Sequence, residues 1–256
     1  MKTRYRWYEA TLSGGVLKTL VERMQKDQFS ARNPLGFRIE AVRRDWVRGE
    51  LIERYETVEV VETPTGEKLE FPFVGFNRAA FRLTSEFPHI ELVNPSKLSR
   101  TLITRLGELL DFEFTVKPID LDPVDWLRCI EKEVGAIQVT GITIANIAVT
   151  DVIRAQVKLE GADDVREHVS KFVRTKKFKA DSLRGSTKRS GVAFELGQTA
   201  RATLDSADLV DDFRVALAAW RGPLGHVVEL PKPRFPGDDR QTCLSGQRIR
   251  DVGGGR

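Results

Sequence analysis

Cysteine and histidine are scarce in this sequence, and their positions argue against a metal centre. The 256 residues contain two cysteines, Cys129 and Cys243, and three histidines, His89, His168 and His226. Structural zinc sites hold the metal through Cys and His at short, recurring spacings, whereas here each of these residues is isolated. The sequence therefore predicts no metal, and two widely separated cysteines are typical of a reduced, cytoplasmic protein.

Long apolar runs are absent as well. No window approaches the roughly 20 apolar residues of a membrane-spanning helix, and no apolar segment of signal-peptide length follows the basic N-terminus. A composition of 41% hydrophobic and 30% charged residues is that of an ordinary globular domain. We expect a soluble, cytoplasmic protein that makes no contact with a membrane.

The usual patterns of catalytic and cofactor sites are also missing. The sequence contains neither the P-loop nor the dinucleotide-binding glycine pattern, and Ser13-Gly14-Gly15 is better interpreted as a tight turn that caps a helix than as a phosphate site. The nearest approach to a nuclease site is Glu91 with Lys97, which lacks the carboxylate cluster that metal-assisted hydrolysis requires. We therefore expect no enzymatic activity and no cofactor.

Positive charge, by contrast, is concentrated in one segment, residues 171–191. This segment carries a net +7 while the whole chain carries +4, so the rest of the chain sums to −3. A surplus of this kind predicts contact with a polyanion, although a solvated hairpin is the simpler alternative. The predicted nucleic-acid-binding residues are those of the segment together with two from the preceding strand: Arg154, Lys158, Lys171, Arg174, Lys176, Lys177, Lys179, Arg184, Lys188 and Arg189.

The spacing of these residues predicts a flat basic surface built from a sheet and a hairpin. Arg154 and Lys158 share one face of a strand at period two, and Lys177 and Lys179 share one face of the next. A turn at residues 184–190 adds further cations. The two phenylalanines of the segment are interpreted as core residues, so a stacking platform for single strands is disfavoured and contact with the backbone of a duplex is favoured.

Local patterns predict the elements that would carry this surface. A strand at residues 4–12 is followed by a helix capped by Ser13, and alternating residues around the turn at 63–66 predict a β-hairpin within residues 36–78. Asn94 is predicted to cap a helix that begins at Pro95, and Asp122 a helix that begins at Pro123. Residues 207–220 predict a last helix, and about the last 25 residues a mobile tail.

The order of these elements predicts an α+β fold. Two successive β-α-β units indicate a ferredoxin-like architecture used twice, with mostly antiparallel sheets and the β-hairpin as an insertion. We predict an N-terminal α+β region at 1–135, a basic C-terminal region at 136–222 and a flexible tail at 223–256.

Several stretches resemble a known family. The run VIRAQVKLEGADDVREHVSKFVRTKKFKADSL followed by VAFELGQTARATL, and upstream FPHIELVNPSKLSRTLITRLGELLDF followed by a strand and a DW helix, are similar to the recombination-associated RdgC proteins. Trp126 stands 28 positions before Arg154, which resembles the spacing in that family, and WYEATLS followed by VLKTLVERM fits its opening. The similarity covers about residues 80–205 and, more weakly, 4–28.

This resemblance implies a non-enzymatic protein that binds double-stranded DNA with little sequence preference. Members of the family form a ring-shaped dimer around a basic channel and modulate recombination, so it implies a homodimer, a nucleoid location and channel positions at Arg154, Lys158, Lys176 and Lys177. The chain departs from the family where a long helical finger is expected, because residues 36–78 are predicted to be strands.

Two other classes of protein fit the same observations. A ferredoxin-like RNA-binding subunit of the CRISPR type would also combine β-α-β units with a basic hairpin. An interaction subunit of an anti-phage defence complex would instead use the hairpin to bind an acidic protein. Preference for hairpin RNA over duplex DNA, or a partner that survives a high-salt wash, distinguishes these alternatives.

Overall fold

The computed structural model describes residues 2–148, 150–172 and 179–221, so the expectations for Arg174, Lys176, Lys177 and the tail at 223–256 lie outside the described residues. Within them the chain forms one mixed α+β unit with eleven strands and five α-helices. The strands are β1 (Thr3–Ala10), β2 (Leu35–Val42), β3 (Trp46–Glu62), β4 (Lys68–Thr84), β5 (Ile90–Val93), β6 (Val116–Pro118), β7 (Ile137–Ala148), β8 (Arg154–Glu160), β9 (Ala180–Thr187), β10 (Ala193–Gly197) and β11 (Arg201–Leu204). The helices are α1 (Gly14–Lys26), α2 (Leu98–Leu109), α3 (Pro123–Val134), α4 (Arg166–Phe172) and α5 (Val210–Arg221).

All of the strands belong to one sheet, and every pairing between them is antiparallel. The order across the sheet is β2-β3-β4-β5-β1-β11-β10-β9-β7-β8, and β6 also pairs with β1. The first strand of the chain therefore lies in the middle of the sheet. It joins an N-terminal half, which begins at β2, to a C-terminal half, which ends at β8.

The helices cover opposite faces of the sheet in the two halves. Neighbouring residues on a strand point to opposite faces, and β1 shows both directions: Tyr5 and Trp7 pack with α3 and α5, whereas Ala10 packs with α1 and α2. Each half therefore has one face covered by its own helices and an opposite face that carries no helix among the described residues, except that α5 contacts β5 where the two halves meet. These two open faces lie on opposite sides of the sheet.

Each half has its own apolar core. In the N-terminal half, Leu20 and Met24 of α1 and Leu102 and Leu106 of α2 are fully buried against Phe81. The C-terminal core is aromatic at its centre, where Trp126 of α3 meets Trp7 and Phe213 in edge-to-face contacts at 5.6 and 6.0 Å. Whether the chain divides at residue 135 stays a prediction, but α3 packs against α5 rather than with the N-terminal helices.

The topology contains two crossovers, and each of them is built around its own central strand. β8 and β9, which flank α4 in the sequence, both pair antiparallel with β7, and β5 and β6, which flank α2, both pair antiparallel with β1. The α+β class and the mostly antiparallel sheet are thus confirmed. The ferredoxin-like assignment of the units stays a prediction.

Two of the predicted caps are confirmed and one is wrong. The Ser13 hydroxyl accepts a hydrogen bond from the backbone N–H of Val16, and the Asp122 carboxylate accepts one from Val124. Asn94 does not cap α2, which begins only at Leu98. Its backbone has φ of 47°, and its side-chain oxygen instead accepts the backbone N–H of Arg4 at 2.9 Å. Asn94 therefore ties the end of β5 to β1.

The turn predicted at residues 184–190 is wrong over its first part, because β9 continues through Arg184, Gly185 and Ser186 to Thr187. Gly185 pairs with Phe194, and a Cβ atom added to it would lie 2.9 Å from the carbonyl oxygen of Gln138. The glycine thus allows close packing of strands rather than a turn. The hairpin turns later, at Gly191, whose φ is 67°.

The two strands of the β3–β4 hairpin are much longer than the other strands of the sheet. Both strands have 17 residues and pair along their whole length, but β2 pairs with β3 only up to Glu53 and β5 pairs with β4 only from Ala80. Residues 54–76 therefore form a two-stranded ribbon that projects beyond the sheet, and we call it the arm. The residues of the arm are exposed, except for Thr63 and Gly75.

Candidate nucleic-acid interface

The uncovered face of the C-terminal half gathers charged side chains from five strands, and four of these strands contribute basic residues. Alternation along β1, β8, β9, β10 and β11 places eight of their charged residues on the side opposite the aromatic core. We call this surface the C-terminal open face. Its charged residues are Arg4, Arg6, Arg154, Lys158, Glu160, Arg184, Glu195 and Arg201, which together carry +4.

Strand register sets the order of these groups. Arg184 pairs with Glu195, Glu195 with Thr203, and Thr203 with Arg4, so these side chains form one row across the sheet. In the adjacent row Arg6 pairs with Arg201. The first row places the carboxylate of Glu195 between two arginines, while the second brings two cations together from strands at opposite ends of the sequence.

Part of the positive charge is neutralised by Glu160 at the edge of the face. Lys158 lies 3.2 Å from its carboxylate, and Arg184 makes an ion pair with the same group. Gly141 lies between Arg184 and Glu160 in the register, and the Arg184 side chain passes over this glycine to reach the carboxylate. The hydrogen bond from Lys158 and the charge of Arg184 hold the pKa of Glu160 below its ordinary value. The carboxylate therefore stays charged near neutral pH, and an incoming phosphate would compete with it for both cations.

At the centre of the sheet the cations are better packed. The guanidinium of Arg6 lies over the ring of Tyr8, with its carbon atom 5.1 Å from the ring centroid, and its buried Nε has no hydrogen-bond partner among the described residues. Arg201 folds back over Gly197, where any larger residue would collide with it. These contacts restrict two of the six cations, whereas Arg154 stands exposed at the start of β8.

The face carries little surface on which a base could stack. Strands β7 to β11 contain a single aromatic residue, Phe194, which is 4% exposed and belongs to the core on the other side. Tyr8 lies at the margin and is partly covered by Arg6. The arrangement can supply charge-assisted hydrogen bonds to phosphates, but its described residues provide no set of exposed rings like that of a single-strand platform.

The residues predicted from sequence are distributed over several places. Arg154, Lys158 and Arg184 lie together on the C-terminal open face. Lys179 precedes β9 rather than lying within a strand, and its Nζ is 2.5 Å from Asp120. Lys171 lies in α4, and the predictions for Arg174, Lys176 and Lys177 fall outside the described residues.

Lys188 and Arg189 form a separate basic corner at the turn between β9 and β10. With Lys132 they line an open cavity of about 570 Å³ at the end of α3, and Glu133 contributes a carboxylate to it. The backbone N–H of Lys188 donates to the carbonyl of Ala136 at 2.9 Å, which fixes the turn against α3. This corner is a second point at which the surface of the C-terminal half could contact an anion.

Sequence reasoning missed Arg4, Arg6 and Arg201. The alternation in TRYRWYEA and in ARATL is visible in the sequence and indicates that these arginines point away from the core. The pairing of β1 with β11 cannot be predicted in this way, because no local pattern shows which strands are neighbours.

The open face of the N-terminal half is less positive. Its arginines are largely matched by carboxylates: Arg38 lies 2.6 Å and Arg78 3.8 Å from Glu50, and Arg48 lies 3.1 Å from Glu40. A fourth arginine, Arg82, stacks on Trp46 at 4.5 Å from the ring centroid, and burial lowers its pKa. We call this surface the N-terminal open face, and its four arginines and two glutamates carry +2.

The carboxylate considered for a nuclease site has a structural role. Glu91 is 6% exposed, and its Oε2 accepts hydrogen bonds from the indole of Trp7 at 2.7 Å and from the guanidinium of Arg214. The described part of the chain contains no group of three or more His, Cys, Asp or Glu side chains placed to hold a metal ion. None of its helices is both long and apolar enough to span a membrane.

No protein-family model matches the chain, and no curated protein matches it significantly. The resemblance to the recombination-associated RdgC proteins therefore stays a prediction from the sequence.

Proposed function

We propose that this protein binds double-stranded DNA through its phosphate backbone, without reading the base sequence. The observation that supports this most is the C-terminal open face, where six cations and two carboxylates share one uncovered surface of a sheet. A surface of this kind gains affinity by releasing the counterions of the DNA, which is independent of sequence.

The dimensions of the face suit a duplex. The face crosses six neighbouring strands, and at about 4.8 Å between strands it is roughly 24 Å wide. The two grooves of B-DNA are about 12 and 6 Å wide. A surface that wide can therefore contact phosphates on both sides of a groove, with Arg154 and Lys158 at one margin and Arg4 at the other.

The lack of exposed rings separates this proposal from the RNA alternative. Sheet platforms that bind single-stranded RNA place two or three aromatic side chains on the open face, whereas in the part of this chain that the structure describes Tyr8 alone approaches that position. In a cell, a protein that coats duplex DNA in this way would be nucleoid-associated and would modulate recombination, as the resemblance to the RdgC proteins implies.

The proposal is tested by titrating fluorescent duplex DNA, single-stranded DNA and hairpin RNA with the full chain and measuring anisotropy. We expect the duplex to bind most tightly, with affinities that vary little between sequences. The logarithm of the affinity should fall linearly with the logarithm of salt concentration. Tighter binding of hairpin RNA would favour the RNA-binding alternative, and absence of binding to all three would reject both.

A further inference from the structure

The outer edge of β3 along the arm is an unpaired strand edge. Beyond Glu53, β3 pairs only with β4 within the described residues, so one side of residues 54–62 has no neighbouring strand. An exposed edge with free N–H and C=O groups is a template for another strand. The corresponding edge of β4 is protected by Pro72, which has no N–H to donate. The β3 edge contains no proline and is rich in valine.

The arm is too apolar to be an ordinary solvated hairpin. One of its faces exposes Tyr55, Val61, Leu69, Phe71 and Phe73, and four of these are at least 40% exposed. The other face exposes Val58, Val60, Val74 and Phe76, each at 46% or more. Isolated two-stranded hairpins are marginally stable in water, and apolar patches of this extent mark interaction surfaces.

Charge excludes nucleic acid as the occupant of the arm. Residues 54–76 contain five glutamates, one arginine and one lysine, a net −3. A ribbon of this charge is repelled by phosphates, so its partner is a protein surface. A partner strand must pair in a register that sets no glutamate opposite another glutamate, because like charges directly opposite each other destabilise a sheet.

The backbone shows which residues would pair. Arg54 donates its backbone N–H to the carbonyl of Pro34 at 2.7 Å, on the side of β3 that faces β2. Because N–H directions alternate along a strand, the even-numbered residues Glu56, Val58, Val60 and Glu62 direct their N–H and C=O groups to the free edge. The edge thus offers four consecutive outward-pointing peptide sites.

We propose that the β3 edges of two copies of this chain pair as antiparallel strands around a two-fold axis at Val58. In that register Val58 faces Val58 and Glu56 faces Val60. Arg54, which lies 2.7 Å from Glu56 of its own strand, faces Glu62 of the second copy. Residues 55–61 have no other partner on this edge and can pair along it, whereas the N–H of Arg54 already donates to Pro34. No glutamate faces a glutamate in this register.

The neighbouring registers are worse. A shift of two residues toward the arm tip sets Glu59 against Glu59 and Glu56 against Glu62. A shift of two residues toward the sheet sets Glu62 against Ile52, whose edge is already paired with Gly36 of β2. The sequence of this edge is therefore self-complementary in one register, which favours a second copy over an unrelated partner. The paired arms would form a four-stranded ribbon between the two sheets.

The test is sedimentation of the full chain over a range of concentrations, comparing Val58→Lys with Val74→Lys. Both valines are on the same face of the arm with similar exposure, 52% and 46%, but Val74 lies on β4, away from the axis. We expect the unaltered chain and V74K to form dimers of two 28.9 kDa chains. V58K sets two lysines opposite each other and should weaken the dimer by about tenfold or more.

A disulfide provides the second measurement. In chains whose Cys243 is replaced by serine, Val58→Cys should oxidise to a disulfide-linked dimer, because opposed residues in a hydrogen-bonded pair have Cα atoms about 5.5 Å apart. Val74→Cys should still dimerise but should form no disulfide-linked dimer under the same conditions, because Val74 lies on β4, away from the axis. A chain that sediments as a monomer at every concentration overturns the proposal, as does a dimer that V58K leaves unchanged. Circular dichroism of each variant confirms that the arm mutations leave the fold intact.

Discussion

Arg214 and Glu91 form a buried ion pair across 123 positions of sequence. The Nε and Nη2 atoms of Arg214 donate to the same carboxylate oxygen, Oε2 of Glu91, at 2.9 and 2.8 Å. Their side chains are 15% and 7% exposed. Burial alone would lower the pKa of Arg214, but the carboxylates of Glu91 and Asp211 raise it. The pair fastens α5 to β5 at the point where the two halves of the sheet meet.

Breaking this pair should destabilise the whole protein. Removing one partner leaves an uncompensated buried charge, so we expect Glu91→Gln and Arg214→Gln each to lower the free energy of unfolding by about 3 kcal/mol. The double variant should lose less than the sum, and urea denaturation of all four proteins measures this coupling. Asp211→Asn is the control, because the Asp211 side chain is 77% exposed and should contribute less than about 1 kcal/mol. Additive losses for Glu91 and Arg214 would show that they act independently.

His89 should make stability depend on pH. Its Nδ1 accepts the backbone N–H of Ala10 at 3.1 Å, so this nitrogen is unprotonated in the folded protein. Burial and then the charge of Arg221 lower the pKa of His89 from its ordinary value of 6.5. A lowered pKa means that the unfolded chain binds the proton more tightly, so stability is full above about pH 6.5 and is lost as the pH falls below it.

The control for this effect is His89→Asn, whose side-chain oxygen can accept the same hydrogen bond but does not titrate. Urea midpoints measured between about pH 8 and about pH 5 should fall for the unaltered chain and change much less for H89N. Equal slopes for both proteins would assign the pH dependence to other groups.

Local chemistry explains which elements were predictable from the sequence. Ser13 and Asp122 mark helix starts because their side chains bond to a backbone N–H within three residues, and this requires no knowledge of the rest of the fold. Asn94 has the same side-chain chemistry but bonds to Arg4, 90 positions away. The sequence pattern could not distinguish the two cases.

The candidate site was only partly predictable for a similar reason. The sequence predicts Arg184 and Lys158 as nucleic-acid-binding residues because they lie in or near the basic segment. Arg6 and Arg201 join them only because β1 pairs with β11, across 195 positions. The length of the arm was also hidden, since alternation identifies β3 and β4 but does not show where their neighbours end.

Alanine substitutions at Gly185 and Gly15 distinguish a glycine that close packing requires from one that only makes the chain more flexible. Gly185→Ala should cost about 1–3 kcal/mol, because the new methyl group would lie 2.9 Å from a backbone oxygen of β7 and 3.1 Å from the ring of Phe194. Gly15→Ala in α1 meets no atom within 4 Å and should stabilise the protein by about 0.5 kcal/mol. Thermal and urea denaturation of the two variants measure these effects. Equal effects would show that the strand spacing at Gly185 adapts.

The C-terminal open face should account for the salt dependence of DNA binding. Replacing Arg154, Lys158 and Arg201 by glutamine should weaken duplex binding about equally for all DNA sequences. Each lost phosphate contact should reduce the slope of log affinity against log salt by about 1. The matched control replaces Arg38, Arg48 and Arg78, which removes the same number of charges from the N-terminal open face, where carboxylates already pair with them. A larger loss in the control would place the DNA on the other side of the sheet.

The basic segment itself needs a separate variant. Neutralising Lys176, Lys177 and Lys179 should also weaken binding uniformly, with the smallest contribution from Lys179 because Asp120 lies 2.5 Å from its Nζ. If this triple variant binds as well as the unaltered chain while the variant at Arg154, Lys158 and Arg201 does not, the site is the sheet face alone. If the reverse holds, the +7 segment binds the DNA and the open face of the sheet is only its support.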